Sequence, residues 1–177
     1  MLKLIHYPND ILNQELPDFD FNNPVMDPFA LEEQMIQLML EQDGLGLAAN
    51  QVGIPARVFV MRTSKLKDVY TPFALFNPKL ITASSDEISG DEGCLSFPNL
   101  FFKVKRAANI IVEFFDRNNN KCIIRLDDID ARCFLHELDH LNGICFTSKI
   151  SKMKLELALK KQRKYNGRTK RRTTSSI

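Results

Sequence analysis

The sequence predicts an α+β fold in which antiparallel or mixed β-sheets wrap around one central helix. Three helical patterns are present, a long region of extended signals separates the first two, and no internal repeat indicates a second domain. With 177 residues and a hydrophobic content of 44%, the chain suits one globular domain.

The first helix is predicted to begin near Pro28, because proline is favoured in the first turn of a helix. Apolar residues then recur at helical spacing, at positions 31, 35, 38 and 39. The pattern breaks at Asp43-Gly44, so the helix is expected to end just before this pair.

From residue 46 to about residue 126 the signals are those of β-strands. The segments 58–61, 73–76 and 110–115 are rich in β-branched and aromatic residues. The polar segment 116–121 predicts a turn that joins two strands as a hairpin.

The central helix is predicted to begin at a cap formed by Asp127 or Asp128 and to end at Gly143. Helical spacing places one set of its side chains along one face: Ile129, Cys133, His136, Glu137 and His140. Ser151 can cap a last helix that continues to about Tyr165, and residues 166–177 are predicted to be disordered.

The C-terminal region is strongly basic. Residues 152–172 contain ten of the 24 basic residues and one of the 22 acids, Glu156. This segment fits either a solvated helix face or a surface that docks on a polyanion such as ribosomal RNA. Because no base-reading motif is present, such docking would not be sequence-specific.

Membrane and export signals are not evident in the sequence. No apolar run approaches the ~20 residues of a membrane span, and the N-terminus lacks the features of a signal peptide. The expected compartment is the cytoplasm. The four cysteines form no C-x-x-C pair and are expected to stay reduced there, three of them as small buried apolar groups.

Residues 136–140, His-Glu-Leu-Asp-His, contain two of the three histidines of the chain. On a helix, His136 and His140 lie on the same face, so both imidazoles can bind one metal ion. Glu137 then lies close enough to act as a general base on water at that ion. The pattern predicts a hydrolytic metal centre that needs a third protein ligand.

The sequence after the histidines does not supply this third ligand. A common protease pattern would place it at position 146, where the chain has Phe146. Glu156 lies in a lysine-rich stretch, and His6 fits a structural role beside Tyr-Pro. Upstream, the segment 92–96 contains Cys94 after a glycine that permits close backbone approach. By itself, however, this segment fits better a buried cysteine beside a turn.

Residues 44–51, Gly-Leu-Gly-Leu-Ala-Ala-Asn-Gln, form a further unusual segment. It lacks the Lys-Ser/Thr of a P-loop and the glycine spacing of a dinucleotide-binding loop. As a strand edge with small residues, it would let an extended peptide lie close to its backbone.

In this order, the segments 44–51, 92–96 and 136–140 closely resemble the three motifs of the peptide deformylase family. The resemblance implies a catalytic domain at residues 1–150, followed by a basic helix at 151–165 and a basic tail at 166–177. The implied reaction removes the formyl group from the N-terminal formylmethionine of nascent chains and releases formate.

The resemblance also implies roles for single residues. The implied metal ligands are Cys94, His136 and His140. They would bind one divalent ion, ferrous iron, with zinc, nickel or cobalt as alternatives. The implied catalytic groups are Glu137 as general base, with the Gln51 side chain and the Leu95 backbone N–H as oxyanion donors. The implied substrate contacts are Leu45, Gly46, Gly93, Ile129 and Cys133.

Some residues depart from the family pattern on the substrate side. Gly90 stands where many members have an aliphatic pocket residue, which predicts a more open wall. Residues 97–102 lack a glycine that is often found there. Asp130 and Arg132 place charge on a helix turn that is usually apolar, and they are expected to face outward or to pair.

Two other functions stay open on the sequence. A different HExxH hydrolase, such as an endopeptidase, would need a third ligand of another kind. A non-catalytic, ribosome-associated relic would not need the full set of chemical residues that this chain retains.

Overall fold

The computed structural model describes residues 2–63 and 71–161, and its strands form two antiparallel sheets. Along the chain, the longer elements are α1 (Pro28–Glu41), β1 (Gly46–Ala48), β2 (Val58–Thr63), β3 (Thr71–Ala83), β4 (Glu87–Cys94), β5 (Phe97–Ala107), β6 (Asn109–Phe115), β7 (Lys121–Asp127) and α2 (Asp128–Leu141). Short 3₁₀ helices occur at Asp10–Asn13, Ala49–Val52 and Phe146–Lys149. A last helix, α3, occupies residues 152–161, where the described part of the chain ends.

Helix α1 confirms the first predicted helix. Pro28 lies in its first turn, and the Asp27 side chain accepts a hydrogen bond from the backbone N–H of Ala30 at 3.0 Å, which caps the N-terminus. The helix buries one apolar stripe against the larger sheet, formed by Leu31, Met35 and Met39. The backbone leaves the helix at Asp43, whose φ of 53° is in the left-handed region.

The larger sheet has the order β1-β2-β3-β6-β7, and the smaller sheet is the β4-β5 hairpin. The predicted turn between β6 and β7 is confirmed. The Asp116 carboxylate accepts hydrogen bonds from the backbone N–H groups of Asn118 and Asn120, both at 2.8 Å. These local bonds hold the tight reversal that pairs the two strands.

Helix α2 lies between the sheets, because it contacts β1, β2, β6 and β7 of the larger sheet and β5 of the hairpin. The predicted central helix and the α+β class are therefore confirmed. The predicted end is confirmed as well, since Gly143 adopts a φ of 69° directly after the helix cap. The predicted cap position is confirmed, because Asp127 is the N-cap residue of α2. Its side chain makes no capping hydrogen bond, however, and accepts one from Arg125 Nε at 3.0 Å.

The region predicted as extended is interrupted by the 3₁₀ helix Ala49–Val52. This turn ends at Gly53, whose φ is 80°, a conformation in which glycine carries no steric cost. Three parts of the predictions lie outside the described residues: residues 64–70 of that region, the end of the last helix near Tyr165, and the disordered segment 166–177. Within residues 2–63 and 71–161, no helix has both the length and the apolar character that a bilayer span requires.

Candidate metal centre

Three of the predicted site residues meet where α2 passes the end of β4. His136 and His140 lie one helical turn apart, and their ring centroids are 5.1 Å from each other. Cys94 is the last residue of β4, and its Sγ lies 3.1 Å from His140 Nε2. One ligand atom from each of the three residues lies within 4.8 Å of the others. This thiolate and two imidazoles form a donor set that suits a single divalent metal ion.

Glu92 orients the first of these imidazoles. Its Oε2 lies 3.1 Å from His136 Nδ1, which leaves the Nε2 of that ring free to face Cys94. Arg106 donates two hydrogen bonds to the same carboxylate, of 2.9 Å and 3.0 Å. Burial favours a raised pKa for Glu92, but the hydrogen bonds from His136 and Arg106 outweigh it and lower the pKa to about 2. Glu92 is therefore an anion that receives the Nδ1–H of His136.

The pKa values of the two histidines shift in opposite directions. Burial acts to lower the pKa of His136, but hydrogen bonds with Cys94 and Glu92 and the charge of Glu137 raise it to about 10. Burial and the neighbouring positive charges hold the pKa of His140 well below its usual range, which keeps that ring neutral. A neutral imidazole is the form that binds a metal.

Glu137 stands beside this donor set with properties that suit proton transfer. Burial raises the pKa of its carboxyl to about 7. Its Oε2 is buried and has no hydrogen-bond partner in the described part of the chain. A carboxyl group that titrates near neutral pH can both accept and donate a proton during one reaction cycle.

Gly46 makes room for the Glu137 carboxylate. A Cβ atom built on Gly46 would lie 2.5 Å from Glu137 Oε1 and 2.8 Å from its Cδ, far inside van der Waals contact. The glycine predicted from the sequence to contact substrate thus also leaves room for the Glu137 side chain.

We expect Gly46→Ala to displace the Glu137 side chain and to lower kcat/KM by at least about a hundredfold, the lower range of what acid–base catalysis contributes. The metal content should stay at the wild-type level, because the three atoms nearest to the added methyl group all belong to Glu137. If Gly46→Ala retains full activity, the close packing against Glu137 has no functional role.

The Gln51 side chain is fixed in one orientation. Its Oε1 accepts a hydrogen bond from the backbone N–H of Ala48 at 2.8 Å, so its Nε2 must face the other way. Nε2 donates to Cys94 Sγ at 3.3 Å and to Ser96 Oγ at 3.1 Å. The amide donor therefore points into the centre, and Leu95, whose backbone N–H was predicted as a second donor, is adjacent to Cys94 in the chain.

The centre opens into a cleft of about 630 Å³. The cleft is lined by all five residues that were predicted to contact substrate: Leu45, Gly46, Gly93, Ile129 and Cys133. Gln51, Leu95 and Glu137 line it as well. His6, for which a structural role was predicted, is exposed and lines the same cleft, but it is not part of the metal-ligand group.

Asp130 and Arg132 were expected either to face outward or to pair, and the structure confirms pairing. Both are buried. Asp130 accepts a hydrogen bond from Thr63 Oγ1 at 2.7 Å, and Arg132 donates to Glu92 at 2.8 Å. The more open wall predicted at Gly90 is wrong, because the Arg132 guanidinium occupies the space beside this glycine.

Sequence reasoning did not find the residues that hold the metal-binding side chains in place. Glu92 was noted only as part of a motif, and Arg106 was not singled out. Their common function depends on β5 bringing Arg106 beside β4, which no local pattern along the chain shows.

The fold and this centre define a class of protein, the hydrolases in which an HExxH helix supplies two ligands and the base of a one-metal site. A family model described as polypeptide deformylase matches residues 1–156. The chain belongs to the peptide deformylase family.

Relatives and solved structures agree with this membership. The chain is 38% identical over 161 residues to a peptide deformylase of Thermodesulfovibrio yellowstonii, covering 91% of this chain and 96% of the relative. It is 32% identical over 174 residues to that of Bartonella henselae, covering 98% and 96%. A crystal structure of a peptide deformylase from Ehrlichia chaffeensis in complex with actinonin superposes with a TM-score of 0.82 at 33% identity, covering 93% of this chain and 96% of that one.

Proposed function

We propose that this protein removes the formyl group from the N-terminal formylmethionine of nascent polypeptides and releases formate. The observation that carries the proposal is the convergence of Cys94, His136 and His140 beside Glu137 at a cleft of about 630 Å³. The family membership supports the same reaction, a hydrolysis of a linear amide bond.

The proposed cofactor is one divalent metal ion held by Cys94, His136 and His140. We favour ferrous iron because the family resemblance implies it, and one thiolate with two imidazoles also suits zinc, nickel and cobalt. When bound, the ion supplies an electrophile that polarises the formyl carbonyl and lowers the pKa of water to about 7. Glu92 and Arg106 keep the His136 ring in the orientation that this binding needs.

The remaining chemistry is assigned to Glu137, Gln51 and Leu95. Glu137 accepts the proton of the attacking water and passes it to the departing amine, which its pKa of about 7 favours. The Gln51 amide and the Leu95 backbone N–H donate to the oxygen that becomes negative as the formyl carbon is attacked. One such donor contributes on the order of 3 kcal/mol to transition-state stabilisation.

The cleft supports a peptide that begins with methionine. Leu45, Ile129 and Cys133 offer an apolar wall for its thioether side chain. The backbones of Gly46 and Gly93 both line this cleft, where an extended peptide could pair with them.

A product assay tests the proposal against an endopeptidase. Protein purified without oxygen and loaded with ferrous iron is incubated with formyl-Met-Ala-Ser and with a longer peptide whose amino terminus is blocked by acetyl. Formate release from the first peptide, with the second left intact, is the expected result. Cleavage of internal bonds without formate would favour the endopeptidase, and no reaction at all would favour the non-catalytic alternative.

We further propose that the protein acts in the cytoplasm and contacts ribosomes through the basic segment 152–172. In α3, Ala158 and Leu159 pack against an apolar cluster, while Lys152, Lys154, Lys160 and Lys161 are exposed. A helix that packs through two apolar residues and leaves four lysines exposed can bind phosphates.

Changing these four lysines to glutamate is expected to weaken ribosome co-sedimentation, most clearly at low salt, because each lost phosphate contact reduces the release of counterions. The control changes four exposed lysines elsewhere by the same charge, namely Lys79, Lys103, Lys105 and Lys121. Equal binding by both variants and the wild type would exclude docking through α3.

A further inference from the structure

Arg132 is a buried arginine on α2 that reaches across to the β4-β5 hairpin. Its Nη1 donates to the backbone oxygen of Val104 at 2.8 Å and to Glu92 Oε1 at 2.8 Å, and its Nη2 donates to the backbone oxygen of Ile88 at 2.6 Å. Only 9% of the side chain is exposed. A guanidinium buried with so many partners is held in one position, and removing one partner of such a pair is costly.

Gly90 provides the space that this guanidinium occupies. A Cβ atom built on Gly90 would lie 2.9 Å from each of three guanidinium atoms of Arg132, namely Cζ, Nε and Nη2. These three atoms belong to the same rigid, planar group as Nη1, and because Nη1 and Nη2 are fixed by hydrogen bonds, the group cannot move away freely. The Arg132 guanidinium can therefore keep this position only if residue 90 has no side chain.

The Arg132 guanidinium reaches the metal centre through one carboxylate. Glu92 Oε1 accepts hydrogen bonds from Arg106 Nε and Arg132 Nη1, while Oε2 is shared by Arg106 Nη2 and His136 Nδ1. A carboxylate has about four lone-pair sites, so all of them are used. Arg132 and His136 also lie one turn apart on α2, so the helix is fixed to Glu92 at two points.

We propose that Arg132 is a positioning residue of the metal centre. Arg132 holds Glu92 through Oε1, so that Glu92 Oε2 orients the His136 ring, and Gly90 leaves the space that the guanidinium needs. The inference rests on the proposed metal site and adds to it a residue outside the ligand set. Loss of an outer hydrogen-bonding partner of a metal ligand typically costs 10- to 100-fold in metal affinity.

The test uses Arg132→Met, which keeps an unbranched stem and removes the guanidinium. Protein loaded with one equivalent of cobalt is mixed with excess chelator at 25 °C, and cobalt loss is followed by the visible absorption of the thiolate-bound ion. We expect loss to be about 10- to 100-fold faster than in the wild type, with an altered absorption spectrum. The matched control is Arg117→Met, which breaks an ion pair of 2.8 Å with Glu32 far from the centre and should lose cobalt at the wild-type rate.

Gly90→Ala separates positioning from stability. It keeps Arg132 but forces the guanidinium away from Glu92, so cobalt loss should again accelerate, and this variant decides the question if Arg132→Met does not fold. Either variant could instead have a lower melting temperature but lose cobalt at the wild-type rate, with an unchanged absorption spectrum. Arg132 would then have a purely structural role, and the inference would be overturned. If the wild type itself binds no cobalt, the proposed metal site fails, and this inference fails with it.

Discussion

Glu137→Gln is expected to lower formate release by about a hundredfold to ten-thousandfold while the protein still binds one metal ion, because general acid–base catalysis contributes 10²–10⁴-fold. Glutamine keeps the volume and polarity of the side chain but cannot carry a proton between water and the departing amine. The variant should fold at least as well as the wild type, since burial disfavours the ionised carboxylate and raises its pKa to about 7.

The measurement is kcat/KM for formate release, with metal content determined on the same sample. Glu156→Gln serves as the matched control, because Glu156 is exposed on α3 and lies outside the centre. A Glu137→Gln protein that retains metal and full activity would show that another group transfers the proton.

Cys94→Ala is expected to abolish both metal retention and activity. It removes one of the three atoms that converge on the ion, so the loss of affinity should exceed the 10- to 100-fold that an outer partner costs. The Gln51 amide also loses its hydrogen bond to Sγ, which would make this proposed oxyanion donor less firmly held.

The metal content of Cys94→Ala is measured after dialysis against a weak chelator. It is compared with the metal content of Cys122→Ala, which changes a half-buried thiol on β7. The control should keep one metal ion per chain. Tight metal binding by Cys94→Ala would mean that the third ligand is a different residue.

The helices and the paired histidines were predictable because their signals are local. Pro28 and Gly143 mark helix ends through backbone preferences that act at single positions. The spacing of His136 and His140 places them on one face of any helix. Cys94 became a ligand candidate only through the family resemblance, because its approach to the helix depends on how β4 ends against α2.

Features that depend on tertiary pairing escaped prediction. Pairing was one of the two alternatives expected for Arg132, but its burial and its partners were not predicted: Glu92 and the backbone oxygens of Ile88 and Val104 satisfy its guanidinium. The 3₁₀ turn that carries Gln51 was hidden in an extended signal, because four residues are too few to show a helical period. In both cases the decisive partners lie outside the local sequence.

Metal removal and restoration test the central claim most directly. The protein is stripped with a chelator, dialysed, and titrated without oxygen with ferrous iron while formate release from formyl-Met-Ala-Ser is measured. We predict no activity in the stripped protein and a linear return that stops at one equivalent of iron per chain. Full formate release by the stripped protein, or a return that needs two equivalents, would contradict a single catalytic metal held by Cys94, His136 and His140.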